Sequence, residues 1–179
     1  AVGPNIRIMT DVNCAWDLPT ARRTAPRLVE HDIYWLEEPM QPEDVRAHAE
    51  LARSIQTPLA VGETLFTLHS FRDYISAGAC GYVQADATKL LGIDEWLDVA
   101  ALARAHSLPV VPHTNVQHKL HVQLAMATPN AVMVENCYES INDIWEEPIH
   151  VTNGYYSLPE EPGVGLKLRD EVLREFRIG

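Results

Sequence analysis

Six polar side chains recur along this chain, each where a run of strand-forming residues stops. Ile6-Arg7-Ile8-Met9-Thr10 runs into Asp11, Ile33-Tyr34-Trp35-Leu36 into Glu37, and Pro58-Leu59-Ala60-Val61-Gly62 into Glu63. From 11 to 37 is 26 positions, and from 37 to 63 is 26 again. Burying a carboxylate is costly unless a cation or hydrogen-bond donors receive it, so acid at the end of an apolar strand calls for a partner. Three carboxylates converging from adjacent strands make a hard-oxygen site. Such a site suits Mg2+, which takes octahedral oxygen ligation and keeps positions open for water and substrate. Any one of these acids alone would read as a helix cap or a solvated loop charge; three at equal spacing favour the metal site. Neighbouring residues on a strand face opposite sides, so at most one of Glu37 and Glu38 points into the site. Asn13 and Glu38 are placed to orient the ligands by hydrogen bonds.

A second set follows. Tyr82-Val83-Gln84-Ala85 ends at Asp86, Leu108-Pro109-Val110-Val111-Pro112 at His113, and Ala131-Val132-Met133-Val134 at Glu135. A histidine held behind a proline at a strand end, with a carboxylate to fix its tautomer and raise its basicity, reads as a general base beside the metal. Glu135 reads either as a carboxyl group that hydrogen-bonds substrate or as a rim acid. Lys89 is either a second cation near the bound anion or a solvent-facing lysine. His118 and His121, three apart on a helix, could ligate a metal, but a solvated helix face is the expectation.

The elements that must position these groups alternate. Strands are expected over 6–12, 33–36, 58–62, 82–85, 108–112 and 131–134. Helices are expected from Asp17, as N-cap, to about Glu30, then near Pro42–Ile55, Ser70–Ala77, Ile93–Ala105, 118–127 and Asp170–Phe176. Pro19 suits a first turn, Pro26 should kink or shorten its helix, and Glu43 and Asp44 suit the start of the second. Gly78 should stop the third. Strands and helices in alternation mean a parallel α/β sheet. A doubly wound sheet fits the alternation as well, but no glycine-rich phosphate loop opens any helix. In a (β/α)8 barrel the chemistry sits at the carboxyl ends of several strands, as here, and two strands are missing from the full eight. The chain reads as one partial barrel domain over 1–179, with an irregular segment, 136–179, at its end.

Composition excludes some alternatives. With 179 residues, 46% of them hydrophobic, the chain can bury one sizeable core. A net charge of −11 argues against non-specific binding to nucleic acid or an acidic membrane surface. No run suits a membrane span or a signal peptide. Cys14, Cys80 and Cys137 are odd in number and outside any CxxC pattern, which favours free thiols in a reducing cytoplasm. The start at Ala1, in mid-pattern, reads as a cut.

With Asp-x-Asn, Trp-Leu-Glu-Glu-Pro, Gly-Glu-Thr, Gln-Ala-Asp and Pro-His in order, the chain resembles the barrel domain of the enolase superfamily. More closely it resembles the mandelate racemase branch, which includes many acid-sugar dehydratases. The resemblance runs from the third barrel strand to Pro162-Gly163-Val164-Gly165. It implies that Asp11, Glu37 and Glu63 bind Mg2+, that Asp86 and His113 form the catalytic dyad, and that Glu135 hydrogen-bonds the substrate carboxylate as its enolate forms. The implied reaction is abstraction of the proton α to a carboxylate. Its expected outcome is dehydration of an acid sugar, with racemisation or epimerisation of a 2-hydroxy acid as the alternative. A non-catalytic partial barrel that binds metal or a partner chain is the rival from another class. Leu90-Leu91-Gly92 stands where the family usually has a Gly-Gly pair. The family's capping domain and first two strands, which often carry a Lys-x-Lys acid/base, are absent from these residues. The expected partners are therefore a small carboxylate substrate and an N-terminal part of the same protein, in a homo-oligomer. Residues 1–179 expressed alone are expected to be inactive and poorly soluble, because an open barrel exposes strand edges and apolar interior.

Overall fold

The computed structural model describes residues 2–114, 118–136, 143–158 and 162–178. Strands β1 (Ile8–Asp11), β2 (Ile33–Glu37), β3 (Leu59–Val61) and β4 (Tyr82–Val83) form one parallel sheet in that order. Helices α1 (Leu18–Val29), α2 (Val45–Ser54) and α3 (Leu68–Ala77) are the crossovers between them; α4 (Ile93–Ala105), α5 (His118–Ala127) and α6 (Asp170–Glu175) follow. The expected fifth and sixth strands contract to single paired residues, with Val110 bridging Val83 and Ala131 bridging Val110, both parallel. Pro109 and Pro112 bracket the fifth and have no N–H to give to a ladder. Backbone bonds from Val111 to Val83 and from Val132 to Val110 nevertheless carry the parallel order onward.

The helix boundaries follow from caps. Asp17 accepts from the Thr20 amide, Asp44 from Ala47 and Thr67 from Ser70. Such a bond satisfies a donor that a helix start leaves orphaned. Glu43 and Asp44 therefore precede α2 instead of occupying its first turn. Gly78 ends α3 in the left-handed conformation, φ 65°. Pro26 does not shorten α1, which runs on to Val29.

Alternation along the strands separates two apolar layers. Leu36 and Leu59 pack on Ala21 and Ala25 of α1 and Leu51 of α2, while Val61, Val83 and Val110 pack with Phe71 of α3 and Trp96 of α4. The intervening residues Trp35, Ala60 and Val111, with Tyr82 and Met133, line the other face. A bulge sets the phase: Ile8 pairs with Ile33 but Met9 with Trp35, so Tyr34 is the extra residue on β2. Ile33 and Leu36, three apart, can thus both join the helix-facing layer. Trp35 and Glu37 share the inner face, where the indole Nε1–H donates to Glu37 Oε2 at 3.0 Å.

One glycine is required where the site begins. A Cβ on Gly62 would lie 2.5 Å from the carbonyl carbon of Gln84, on a backbone with φ 152°. Only glycine lets the end of β3, which carries Glu63, approach the chain after β4 so closely.

Candidate active site

Asp11 and Glu37 are brought side by side as register partners on β1 and β2. Asp11 is exposed on the edge strand, and both of its oxygens accept from Asn13, one from the backbone amide at 2.8 Å and one from the side-chain amide. Glu37 is half-buried. Burial is the main influence pushing its carboxyl up to about 7; the Gln84 amide and the Trp35 indole pull the other way, and the charges of Asp11 and Glu135 push it further up.

Glu38, just beyond the end of β2, is buried and points elsewhere. Its Oε1 accepts from the Thr64 amide at 3.1 Å and from Thr64 Oγ1 at 2.6 Å, and its Oε2 from Cys14 Sγ at 3.2 Å. One carboxylate thus ties together the loops after β1, β2 and β3. Asn13, Cys14 and Glu38 all have positive φ, at 48°, 58° and 35°. Such backbone is strained for non-glycine residues and persists only where its surroundings over-determine it. The buried thiol is pushed up to about 12 by burial and then by Glu38, so it is inert at neutral pH.

The other half of the site is built around Asp86, which is fully buried. Its Oδ2 lies 2.8 Å from His113 Nδ1; its Oδ1 accepts from the Thr88 amide and hydroxyl, each at 2.8 Å, and lies 3.0 Å from His121 Nε2. Burial would raise its pKa, but the hydrogen bonds from His113, His121 and Thr88 outweigh that and hold the carboxyl far below its usual range. His113 is buried at 8% exposure, and its Nε2 lies 2.9 Å from Glu63 Oε2. Burial works against its charge, yet Asp86, Glu63 and the field of Glu135 push the imidazole up to about 9. The bond from His113 in turn lowers Glu63, assisted by the charge on half-buried Lys89. Glu135 Oε2 accepts from the Thr114 amide at 2.8 Å, immediately after His113.

The strand ends therefore bring Asp11 to Glu37, and Glu63 to His113 and Asp86, with Glu135 influencing both pairs. A cavity of about 370 Å3 opens beside Glu37, Gln84 and Glu135, floored by Trp35, Val111 and Met133. A larger one, of about 600 Å3 between Pro4 and Pro58, lies at the opposite ends of the strands, away from this chemistry. The donor set fits Mg2+ in kind: oxygen ligands, a carboxyl raised by burial and by neighbouring acids, and a buried Gln84 Oε1 without a hydrogen-bond partner among the described residues. Among the described residues, however, no three metal-ligating side chains are already gathered, and Glu63 is engaged with His113.

One expectation is overturned. His121 does not lie on a solvated helix face; it is fully buried, and its ring reaches Asp86. The side chain of His118, and all of Cys137, lie outside the described residues. Thr64, Gln84 and Thr88 join the site although spacing alone does not single them out. Thr64 follows Glu63 directly, Gln84 stands two before Asp86, and Thr88 stands two after it, the spacing of a side-chain-to-backbone turn.

A parallel α/β sheet that carries its polar groups at the carboxyl ends of successive strands defines part of a barrel enzyme scaffold. Residues 1–172 match the model of the family described as enolase C-terminal domain-like, and the chain belongs to that family. It is 30% identical to an L-talarate/galactarate dehydratase of Salmonella typhimurium, over 97% of this chain and 43% of that protein. It is 32% identical to a D-galactarolactone cycloisomerase of Agrobacterium fabrum, over 99% of this chain and 51% of the relative. Among solved structures it is similar to an L-talarate dehydratase from Polaromonas sp. complexed with Mg and L-glucarate. There the TM-score is 0.88 and the identity 35%, covering 97% of this chain and 48% of that one. A racemase from Streptomyces coelicolor with bound magnesium gives a TM-score of 0.90 at 30% identity, covering 98% and 48%. The chain spans about half the length of the curated relatives it matches. No helix among the described residues is long and apolar enough to cross a membrane.

Proposed function

We propose that the complete protein removes the proton α to a carboxylate with the help of Mg2+, and that its reaction is dehydration of an acid sugar to a 2-keto-3-deoxy acid. The observation that carries this reading is the His113–Asp86 pair, Nδ1 to Oδ2 at 2.8 Å, placed at the same strand ends as Asp11, Glu37 and Glu63. Asp11, Glu37 and Glu63 would hold the metal, with Asn13 orienting Asp11 and Glu38 fixing the loop beside Glu63. Bound there, Mg2+ supplies Lewis acidity to the substrate carboxylate and stabilises charge on the enediolate.

Glu63, engaged as a ligand, would no longer occupy His113 Nε2. That nitrogen, kept in line by Asp86 on the other side of the ring, would take the α proton. The electron pair of the broken C–H bond passes into the enediolate and then expels the β-hydroxyl, which leaves as water on taking the proton held by His113, and the enol left behind tautomerises to the 2-keto acid. Glu135, beside Thr114, would hydrogen-bond the substrate carboxylate, and Lys89 would add positive charge near it. The cavity beside Glu37 and Glu135 would receive the reacting end of the substrate.

Racemisation or epimerisation is the second reading, supported by the likeness to the S. coelicolor racemase. It needs a further base on the opposite face of the substrate. A panel of acid sugars, incubated with the complete protein and Mg2+ and assayed for 2-keto acid, tests the proposal. Keto acid from at least one member is expected. Inversion without loss of water would replace dehydration by racemisation, and a folded protein that binds Mg2+ yet turns over nothing would overturn both.

A further inference from the structure

His121 takes no part in the reaction just described, yet it is among the most completely buried polar side chains of the molecule, at 0% exposure. Its Nε2 lies 3.0 Å from Asp86 Oδ1, and the Ala87 amide is directed at the same nitrogen at 3.1 Å. One nitrogen cannot both donate to the carboxylate and accept from the amide. A bond to an ionised oxygen is roughly twice as strong as a neutral one, and a bare lone pair at that distance from the Asp86 charge would be repelled. A proton on Nε2 answers the stronger of these two demands, that of the carboxylate, and the Ala87 amide is then the weaker contact.

The origin of the ring matters as much as its partner. Asp86 Oδ1 also accepts from the amide and hydroxyl of Thr88, but both come from its own loop and cannot fix that loop relative to the rest of the site. His121 comes from α5, which begins five residues after His113. The segment that carries the imidazole base thus grips Asp86 at two points, His113 Nδ1 on Oδ2 and His121 Nε2 on Oδ1. A single contact would let the carboxylate pivot; two on different oxygens define its plane and its distance from the base.

We propose that His121 is a positioning residue for the His113–Asp86 pair, locking Asp86 from the buried side so that Oδ2 is presented to His113 Nδ1. The catalytic consequence rests on the proposed role of His113 as the base; the positional one does not. Two variants of the complete protein separate these. His121→Phe keeps a flat apolar filling but removes the donor, whereas His121→Gln can restore a donor near the position of Nε2.

By proton and nitrogen NMR, the wild type should show a protected downfield Nδ1–H signal that is absent from His113→Asn and therefore assigned to His113. In folded His121→Phe that signal should broaden or exchange faster, and in His121→Gln it should return. On a substrate found by the panel, His121→Phe should lower kcat by about 10–100-fold, the range for removing a group that orients a functional imidazole, with KM little changed and kcat largely restored in His121→Gln. An unchanged His113 signal in folded His121→Phe would overturn the proposal. So would failure of His121→Gln to fold, because His121 would then be structural. If the wild type turns over nothing, the catalytic reading falls, and the NMR comparison still decides the position of Asp86.

Discussion

The two sides of the strand-end mouth are satisfied in different ways. On the side of the β4–α4 loop and α5, Asp86 is enclosed by donors from His113, His121 and Thr88, and its charge is fully answered from within these residues. On the β1–β2 side, Asp11 is exposed on an edge strand, and Glu37 is pushed up to about 7, chiefly by burial and further by neighbouring negative charge. The first side is pre-organised by its own hydrogen bonds; on the second, burial and like charge raise a carboxyl toward neutrality. Glu63 belongs to both, as the third strand-end acid by position and as the partner of His113 by geometry.

The largest effect should come from breaking the satisfied side. His113→Asn in the complete protein should lower kcat by about 10^2–10^4-fold, the range of general acid–base catalysis, while substrate still binds. Steady-state kinetics with a binding measurement checks this, and Asp86→Asn should follow it. The next effect is on the frame. Gly62→Ala must push a Cβ into the Gln84 backbone, so stability should fall by about 1–3 kcal/mol, as overpacking does, measured by urea unfolding.

Altering the acid shared by the two sides should change metal binding more than folding. Glu63→Gln replaces a charged oxygen with a neutral amide, so calorimetry should show weaker Mg2+ binding, with a modest fall in melting temperature because the charged partner of His113 is lost as well. Unaltered affinity would remove Glu63 from the ligand set.

The smallest effect lies outside both sides. His48 is buried against Tyr74, and burial lowers its pKa below the ordinary value of 6.5 despite the Asp44 carbonyl on Nδ1. The unfolded chain therefore binds this proton more readily than the folded one. Stability should be complete above about pH 6.5 and fall as pH drops through the folded pKa. His48→Gln should flatten that slope in denaturant titrations across the same range.

Much of this was legible in the sequence, for identifiable reasons. Acids at the ends of Ile33-Tyr34-Trp35-Leu36 and Pro58-Leu59-Ala60-Val61-Gly62 stand out because apolar strands rarely run into charge, and the alternation of elements gave the parallel order. The fifth strand is shorter than its apolar run suggests because Pro109 and Pro112 remove donors, an effect of pairing that hydrophobicity does not record. His121 was misplaced because the pair with His118 gave no sign of which helix face turns inward. Its partner is 35 residues away, and only the fold brings them together. The engagement of Glu63 with His113 is likewise a matter of side-chain geometry that spacing cannot carry.

The central claim is that His113, held by Asp86, takes the α proton of a carboxylate substrate. The most direct test follows deuterium from the α carbon of a labelled acid sugar into solvent, with the complete protein and Mg2+, in the wild type and in His113→Asn. Release by the wild type and its loss in the variant are expected, with Mg2+ and substrate still bound. Release by His113→Asn at the wild-type rate would contradict it.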